Sequence, residues 1–232
     1  MILALGDIHG NMDPTIKKIN KLEITDAIIL QVGDFGYSFA DVLQSKKKYV
    51  KSLLYYNDIF KHKNIIMYVV RGNHDNPKYF NGEFCFSNLK LMPDYSVFDI
   101  KCWNVLALGG ATSVDRCERK VNKEWWSNEK FTVDVDRLQA FRDIDIVISH
   151  NIPTVLSNTL PLLPLNNFFK KDVLLESELI SEKKDFDLAY SILKENNKIA
   201  VWVGGHWHRS ASLYNEHTLF RVAGINELVE LI

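Results

Sequence analysis

Seven side chains in five short clusters offer the donor types of a cation site. Asp7 and His9 stand in Gly6-Asp7-Ile8-His9-Gly10, Asp34 in Gly33-Asp34-Phe35-Gly36, and Asn73 in Arg71-Gly72-Asn73-His74-Asp75. His150 precedes Asn151-Ile152-Pro153, and His206 and His208 close Gly204-Gly205-His206-Trp207-His208. Imidazole nitrogen, carboxylate oxygen and amide oxygen together suit manganese, iron or zinc better than calcium, and no thiolate is offered. In Asp7-x-His9 and His206-x-His208 an extended chain would put both side chains on one face, making each pair a chelating unit. The flanking glycines permit tight turns and close backbone approach. Taken singly, each fragment has an ordinary explanation: a D-x-H turn, a turn-favouring Asn-His pair, a strand pair of histidines. The ordered set points to metal.

These clusters need elements that bring them together. Short apolar runs at 2–5, 27–32, 65–70, 145–149 and 199–203 read as buried strands, and each ends in one of the five clusters. A sixth run, 105–108, leads to Gly109-Gly110. Ligands of α/β sheets bind at the carboxyl ends of strands, so a shared site is expected there. Helices are expected at 14–22, where Pro14 lies in the first turn, at 38–60, at 135–141, and at 172–196 with a break near 183–185. The segment 151–169 has three prolines and no clear period, and reads as a long loop. Strands alternating with helices indicate an α/β fold. No repeat or linker divides residues 1–232, so one domain is expected.

The chain has 232 residues, 47% hydrophobic and 25% charged, enough to bury a core without disulfides. A net charge of −1 gives no global basic character that would demand a nucleic-acid partner. Cys85, Cys102 and Cys117 form no C-x-x-C pattern, which argues against a thiolate zinc site and suits a reducing compartment. The first apolar run is too short for a signal peptide or membrane span, so a cytoplasmic protein without membrane contact is expected.

The series D-x-H, G-D, G-N-H-D, a lone His and G-H-x-H resembles the calcineurin-like metallophosphoesterase superfamily, notably its small bacterial and phage-type members. The resemblance runs from Asp7 to His208 with every motif intact. It implies a four-layer sandwich, two mixed β-sheets flanked by α-helices. It implies one cation held by Asp7, His9, Asp34 and His208 and a second by Asp34, Asn73, His150 and His206, with Asp34 shared. Manganese is expected, with iron or zinc as alternatives. Two cations roughly 3.5–4 Å apart would each take a phosphate oxygen and share a bridging hydroxide that attacks phosphorus in line with the ester oxygen. By the same resemblance His74 reaches toward the phosphate and leaving group, and Asp75 orients the His74 ring.

Serine/threonine phosphatases of the superfamily read G-D-x-x-D-R-G at the second motif. This chain reads Gly33-Asp34-Phe35-Gly36-Tyr37 and lacks that Asp-Arg pair, although Arg71-Gly72-Asn73-His74 resembles them. Arg116 and Arg119, in the segment after Gly109-Gly110, are candidates to clamp phosphate, as is Arg71; surface ion pairs are the alternative for Arg116 and Arg119. Trp125 and Trp126 either stack on a base or pack a helix, and Trp207 is expected to point away from the metals into the core. The favoured reading is a phosphodiesterase acting on nucleotides or nucleic acid. A phosphomonoesterase, including a protein phosphatase, is the alternative, followed by a non-catalytic scaffold.

Overall fold

The computed structural model describes residues 1–36, 46–161 and 164–232, without the side chains of 46–48. Six strands form where the apolar runs lie: β1 (Ile2–Leu5), β2 (Ile28–Gln31), β3 (Ile66–Val69), β6 (Trp103–Leu108), β7 (Ile146–Ser149) and β8 (Val201–Gly204). Five more were not legible: β4 (Leu89–Leu91), β5 (Val97–Ile100), β9 (Ala211–Asn215), β10 (Thr218–Val222) and β11 (Leu228–Glu230). These last are short or lie toward the sheet margins, and β9 alternates between half-buried and exposed positions, which gives no continuous apolar run.

One sheet runs β11-β1-β2-β3-β4, parallel except for β11, which pairs antiparallel with β1. The other runs β5-β6-β7-β8-β10-β9, with parallel pairs from β6 to β10 and antiparallel strands at both edges. Strand alternation splits each run between two cores. Ile2, Ala4, Leu30 and Tyr68 of the first sheet meet Val105, Ala107, Ile146, Ile148, Val201 and Val203 of the second. The outward residues Leu3, Leu5, Ile29 and Met67 pack beneath Ile19 of α1 (Asp13–Lys21) and Tyr49, Leu53 and Phe60 of α2 (Lys46–His62). On the far side Leu106, Val147 and Trp202 pack beneath Leu138 of α3 (Val135–Ala140) and Phe186, Ala189 and Leu193 of α6 (Leu175–Asn196). The result is helix, sheet, sheet, helix: the expected α/β four-layer sandwich with two mixed sheets. Burial on both faces explains why the central strands read as unbroken apolar runs.

Local chemistry sets the helix ends. Asp13 lies in the first turn of α1 and Lys18 and Lys21 in its last, each sign matched to the helix dipole. The first part of the helix expected over 38–60 lies outside the described residues. The expected break in the last long helix is absent: α6 runs unbroken for 22 residues. No Gly or Pro interrupts it, and its charged stretch is bracketed by Glu182 and Phe186, one turn apart and both buried. The described residues of the 151–169 segment likewise include helices, α4 (Thr154–Ser157) and the start of α5 (Asn166–Lys171). The Asp187 carboxylate of α6 fastens α4, accepting from Thr154 N and Oγ1 at 2.7 Å each.

Candidate metal centre

The ends of β1, β2 and β3 in one sheet and of β7 and β8 in the other deliver the seven donor residues to one place. Asp7, His9, Asp34 and His208 each contribute a donor atom, all within 4.8 Å of one another. His9 Nε2 and His208 Nε2 stand 3.1 Å apart, and His208 Nε2 lies 3.3 Å from Asp7 Oδ2. Beside this group, Asn73 Oδ1 sits 2.9 Å from His150 Nε2 and 3.0 Å from His206 Nδ1. Asp34 faces both: its Oδ1 is 3.3 Å from His150 Nε2 and its Oδ2 is 3.8 Å from His9 Nδ1.

The Asp7-x-His9 and His206-x-His208 pairs do not come together by strand alternation. His9, Asp34, His206 and His208 all have left-handed backbones, with φ of 45, 51, 68 and 54°. Each such non-glycine residue costs on the order of 1–2 kcal/mol. The turns are therefore held from outside: His9 N donates to Asp34 O at 2.9 Å, and His206 N donates to Asp7 Oδ2 at 3.1 Å. The extended-chain expectation gives way to these turns because a tight reversal just past each strand end brings more donors inward. Two glycines make room for the carboxylates. A Cβ on Gly72 would lie 2.2 Å from Asp34 Oδ1, and one on Gly205 2.2 Å from Asp7 Oδ1.

A second layer of bonds aims the donors. His150 Nδ1 donates to Val32 O at 2.8 Å, which turns Nε2 toward the cluster. Asn73 Nδ2 donates to Ser113 Oγ at 3.0 Å, so its Oδ1 turns to the histidines. Ser113 is held in turn by Glu129, which accepts from Ser113 N at 2.6 Å and Oγ at 2.7 Å. Sequence reasoning gave no role to Ser113, in the segment after Gly109-Gly110, or to Glu129, because their link to Asn73 forms only in the fold.

The electrostatics fit a cation. Asp7 and Asp34 have at most 1% of their surface exposed, and among the described residues neither meets a lysine or arginine. Burial opposes ionisation of Asp34, but His150, His74 and His9 together outweigh it and hold the carboxyl well below its ordinary value. Burial also opposes a charge on His150, yet the neighbouring Asp34 carries its pKa up to about 10. His206 is pushed down to about 3, by burial and then by His150. A divalent ion would satisfy carboxylates and facing ring nitrogens at once.

The candidates beyond the donor set are placed unequally. His74 lies at the edge of the cluster, its Nε2 3.8 Å from Asp34 Oδ2. Burial, ahead of the charges of Arg119 and His9, takes its pKa down to about 4. Asp75 does not orient that ring. Its carboxylate accepts from Phe35 N at 3.1 Å, Gly36 N at 2.6 Å and Gly72 N at 2.8 Å, bracing two donor loops against each other. Arg71 is buried and turned away, bonded to Asp94 Oδ2 at 2.8 Å, to Lys130 O at 3.0 Å and to Glu129 O. Arg116 pairs with Asp172 at 2.5 Å and with Glu178, tying the segment after β6 to the end of α5 and the start of α6. In this arrangement the donors of Arg71 and Arg116 go to protein acceptors rather than to a phosphate. Arg119 alone of the three reaches the cluster, with Nη2 2.7 Å from His74 Nε2 and Nη1 3.2 Å from Ser113 Oγ, while Nη2 also forms the ion-pair alternative with Asp115 Oδ1 at 2.6 Å. Trp126 is buried and so unable to stack on a base, while Trp125 is half-buried.

A family model for the calcineurin-like phosphoesterases matches residues 1–210. The chain belongs to that family. The family is one of phosphoric-ester hydrolases that use divalent metals. Two solved structures share its fold. A putative 5′-nucleotidase from Staphylococcus aureus, solved with alpha-ketoglutarate, is 13% identical with a TM-score of 0.52; the match covers 97% of this chain and 48% of that one. The phosphopantetheinyl hydrolase of Mycobacterium tuberculosis is 13% identical with a TM-score of 0.51, over 97% of this chain and 89% of that one. This phosphoesterase thus spans about half the length of the Staphylococcus aureus protein. No curated protein matches it significantly. Among the described residues no helix is long and apolar enough to cross a membrane.

Proposed function

We propose that this phosphoesterase is a dinuclear, metal-dependent phosphodiesterase acting on nucleotides or nucleic acid. The observation that carries the reading is Asp34, whose two carboxylate oxygens face different donor groups. Asp7, His9, Asp34 and His208 would hold one cation, and Asp34, Asn73, His150 and His206 the other. Manganese suits this nitrogen and oxygen set, as do iron and zinc. Two divalent cations supply Lewis acidity, offsetting charge on the phosphoryl oxygens and acidifying the attacking water.

The remaining steps fall to the chain. Val32 O and Ser113 keep His150 and Asn73 aimed without reorganisation, which is where such sites gain most. Arg119 donates to His74 Nε2, so that nitrogen accepts while the pair is formed. Incoming phosphate offers better acceptors to the guanidinium and draws Arg119 off the ring. Loss of the Arg119 charge and arrival of the phosphate charge then both favour uptake of a solvent proton at His74 Nε2, and that proton is handed to the departing oxygen. Arg71, Arg116 and Asp75 serve the shape of the loops rather than the substrate.

Preference for diesters rests on the missing Asp-Arg pair after Asp34. Residues 1–232 act as one domain in this reading, because the core between the sheets draws on both. The cytoplasm is the proposed setting, since all three cysteines are free and exposed. The test is hydrolysis of bis(p-nitrophenyl) phosphate beside p-nitrophenyl phosphate with manganese. The diester is expected to be cleaved with the higher kcat/KM. Cleavage of the monoester alone would make the protein a phosphomonoesterase, and cleavage of neither would favour a scaffold.

A further inference from the structure

Trp207 lies between two donor residues, yet its ring is not simply core. Its Nε1–H donates to Asn151 Oδ1 at 2.9 Å. Asn151 Nδ2 donates to Glu182 Oε1 at 2.7 Å, and Glu182 Oε2 accepts from Thr112 Oγ1 at 2.6 Å. Asn151, Glu182 and Thr112 are all buried. The indole is thus clamped by its edge to an internal polar chain, and what it offers its surroundings is ring surface.

Trp207 borders a cavity of about 360 Å³. Leu165 and Phe169 of the 151–169 segment and Leu179 of α6 line it together with Trp207 and His206. Glu176, an exposed lining residue, and half-buried Lys183 are polar and supply an acceptor and a donor. His206 belongs both to the donor cluster and to this wall, so a phosphate at the cluster and a group in the cavity fit a single molecule. A volume near the small end of ligand pockets suits one nucleoside rather than a peptide segment or a stacked dinucleotide. A clamped aromatic plane within an apolar wall, with polar groups among the lining, matches a flat heterocycle with polar edges.

We infer that this cavity receives the base of a nucleoside phosphoester, stacked on Trp207, while its phosphate lies at the donor cluster. The inference rests on the phosphodiesterase reading and goes further, naming the substrate group recognised and the residues that recognise it. It also moves the aromatic platform from Trp125 and Trp126 to a tryptophan placed between two donor histidines.

Two diesters with the same leaving group separate the two claims: thymidine 5′-(p-nitrophenyl) phosphate and methyl p-nitrophenyl phosphate, each with manganese-loaded protein. The wild type is expected to favour the thymidine ester by about tenfold in kcat/KM, the scale of one base–aromatic contact. Leu179→Trp, which fills the cavity, is expected to bring that ratio toward one, and Phe169→Ala to lower it less. Absence of a preference in the wild type overturns the inference and leaves the diesterase reading standing. So does an equal fall of both rates in the variants with the ratio unchanged. Failure to cleave either ester overturns the diesterase reading itself.

Discussion

His150 and His208 serve the same candidate centre from opposite conditions. His150 has no exposed surface and gives its Nδ1 proton to Val32 O, whereas the His208 side chain is 47% exposed. The contrast extends to their neighbours. Around His150, Asn73 is 3% exposed and is fixed through Ser113 to buried Glu129. Around His208, the His9 side chain is 27% exposed and its closest side-chain contact is His208 itself. One half of the cluster is shaped by the fold before any ion arrives, and the other is ordered mainly by its own members. Pre-set ligands lose less entropy on binding, so the closed half should hold its cation more tightly and exchange it more slowly. The open half, beside His74 and Arg119, is the side from which a phosphate would enter.

Asp34→Ala gives the largest expected effect, because Asp34 belongs to both halves. Turnover should fall by at least ~10³-fold, with metal lost from both positions. Elemental analysis beside initial rates checks this; one full equivalent retained would confine Asp34 to a single half. His74→Ala should leave the metal content of both halves intact while lowering kcat by about 10²-fold, the scale of one general acid. Loss of metal in that variant would recast His74 as a ligand of the open half. Glu129→Gln is the mildest change, since it keeps an acceptor for Ser113 N and loses only the one for Ser113 Oγ, the hydroxyl behind Asn73. It should weaken metal binding by roughly tenfold at the closed half alone, as outer partners of ligands do. Competition with a chelator, read as two phases, would show it. Equal weakening of both phases would mean that the halves are not built differently after all.

The difference between Arg116 and Arg119 shows where local reading stops. They are three residues apart, share a chemistry and were equal candidates for a phosphate. Both form ion pairs, Arg116 with distant Asp172 and Glu178 and Arg119 with nearby Asp115, but only Arg119 also reaches His74 and Ser113. Those acceptors lie as far as 62 residues away in the chain, and nothing in the intervening sequence announces them. Asp75 is similar: its place beside His74 suggested a partner for that ring, but three backbone N–H groups of two loops compete for it and win. The missed strands and the unbroken α6 follow the same logic, since partners across the sheet and beneath the helix stabilise them more than their own composition does.

By itself, the sequence determined the six strands that are unbroken apolar runs, the α/β class and the donor types at the strand ends. These rest on short-range properties: an apolar run buried on both faces, a glycine that frees a turn, an imidazole or carboxylate following it. Tertiary structure alone decided that His9, His206 and His208 converge through left-handed turns, that Asn73 is aimed by Glu129 through Ser113, and that Trp207 walls a cavity next to His206. Those outcomes depend on which groups from distant segments come within hydrogen-bonding reach, and that choice is made by packing the four layers together.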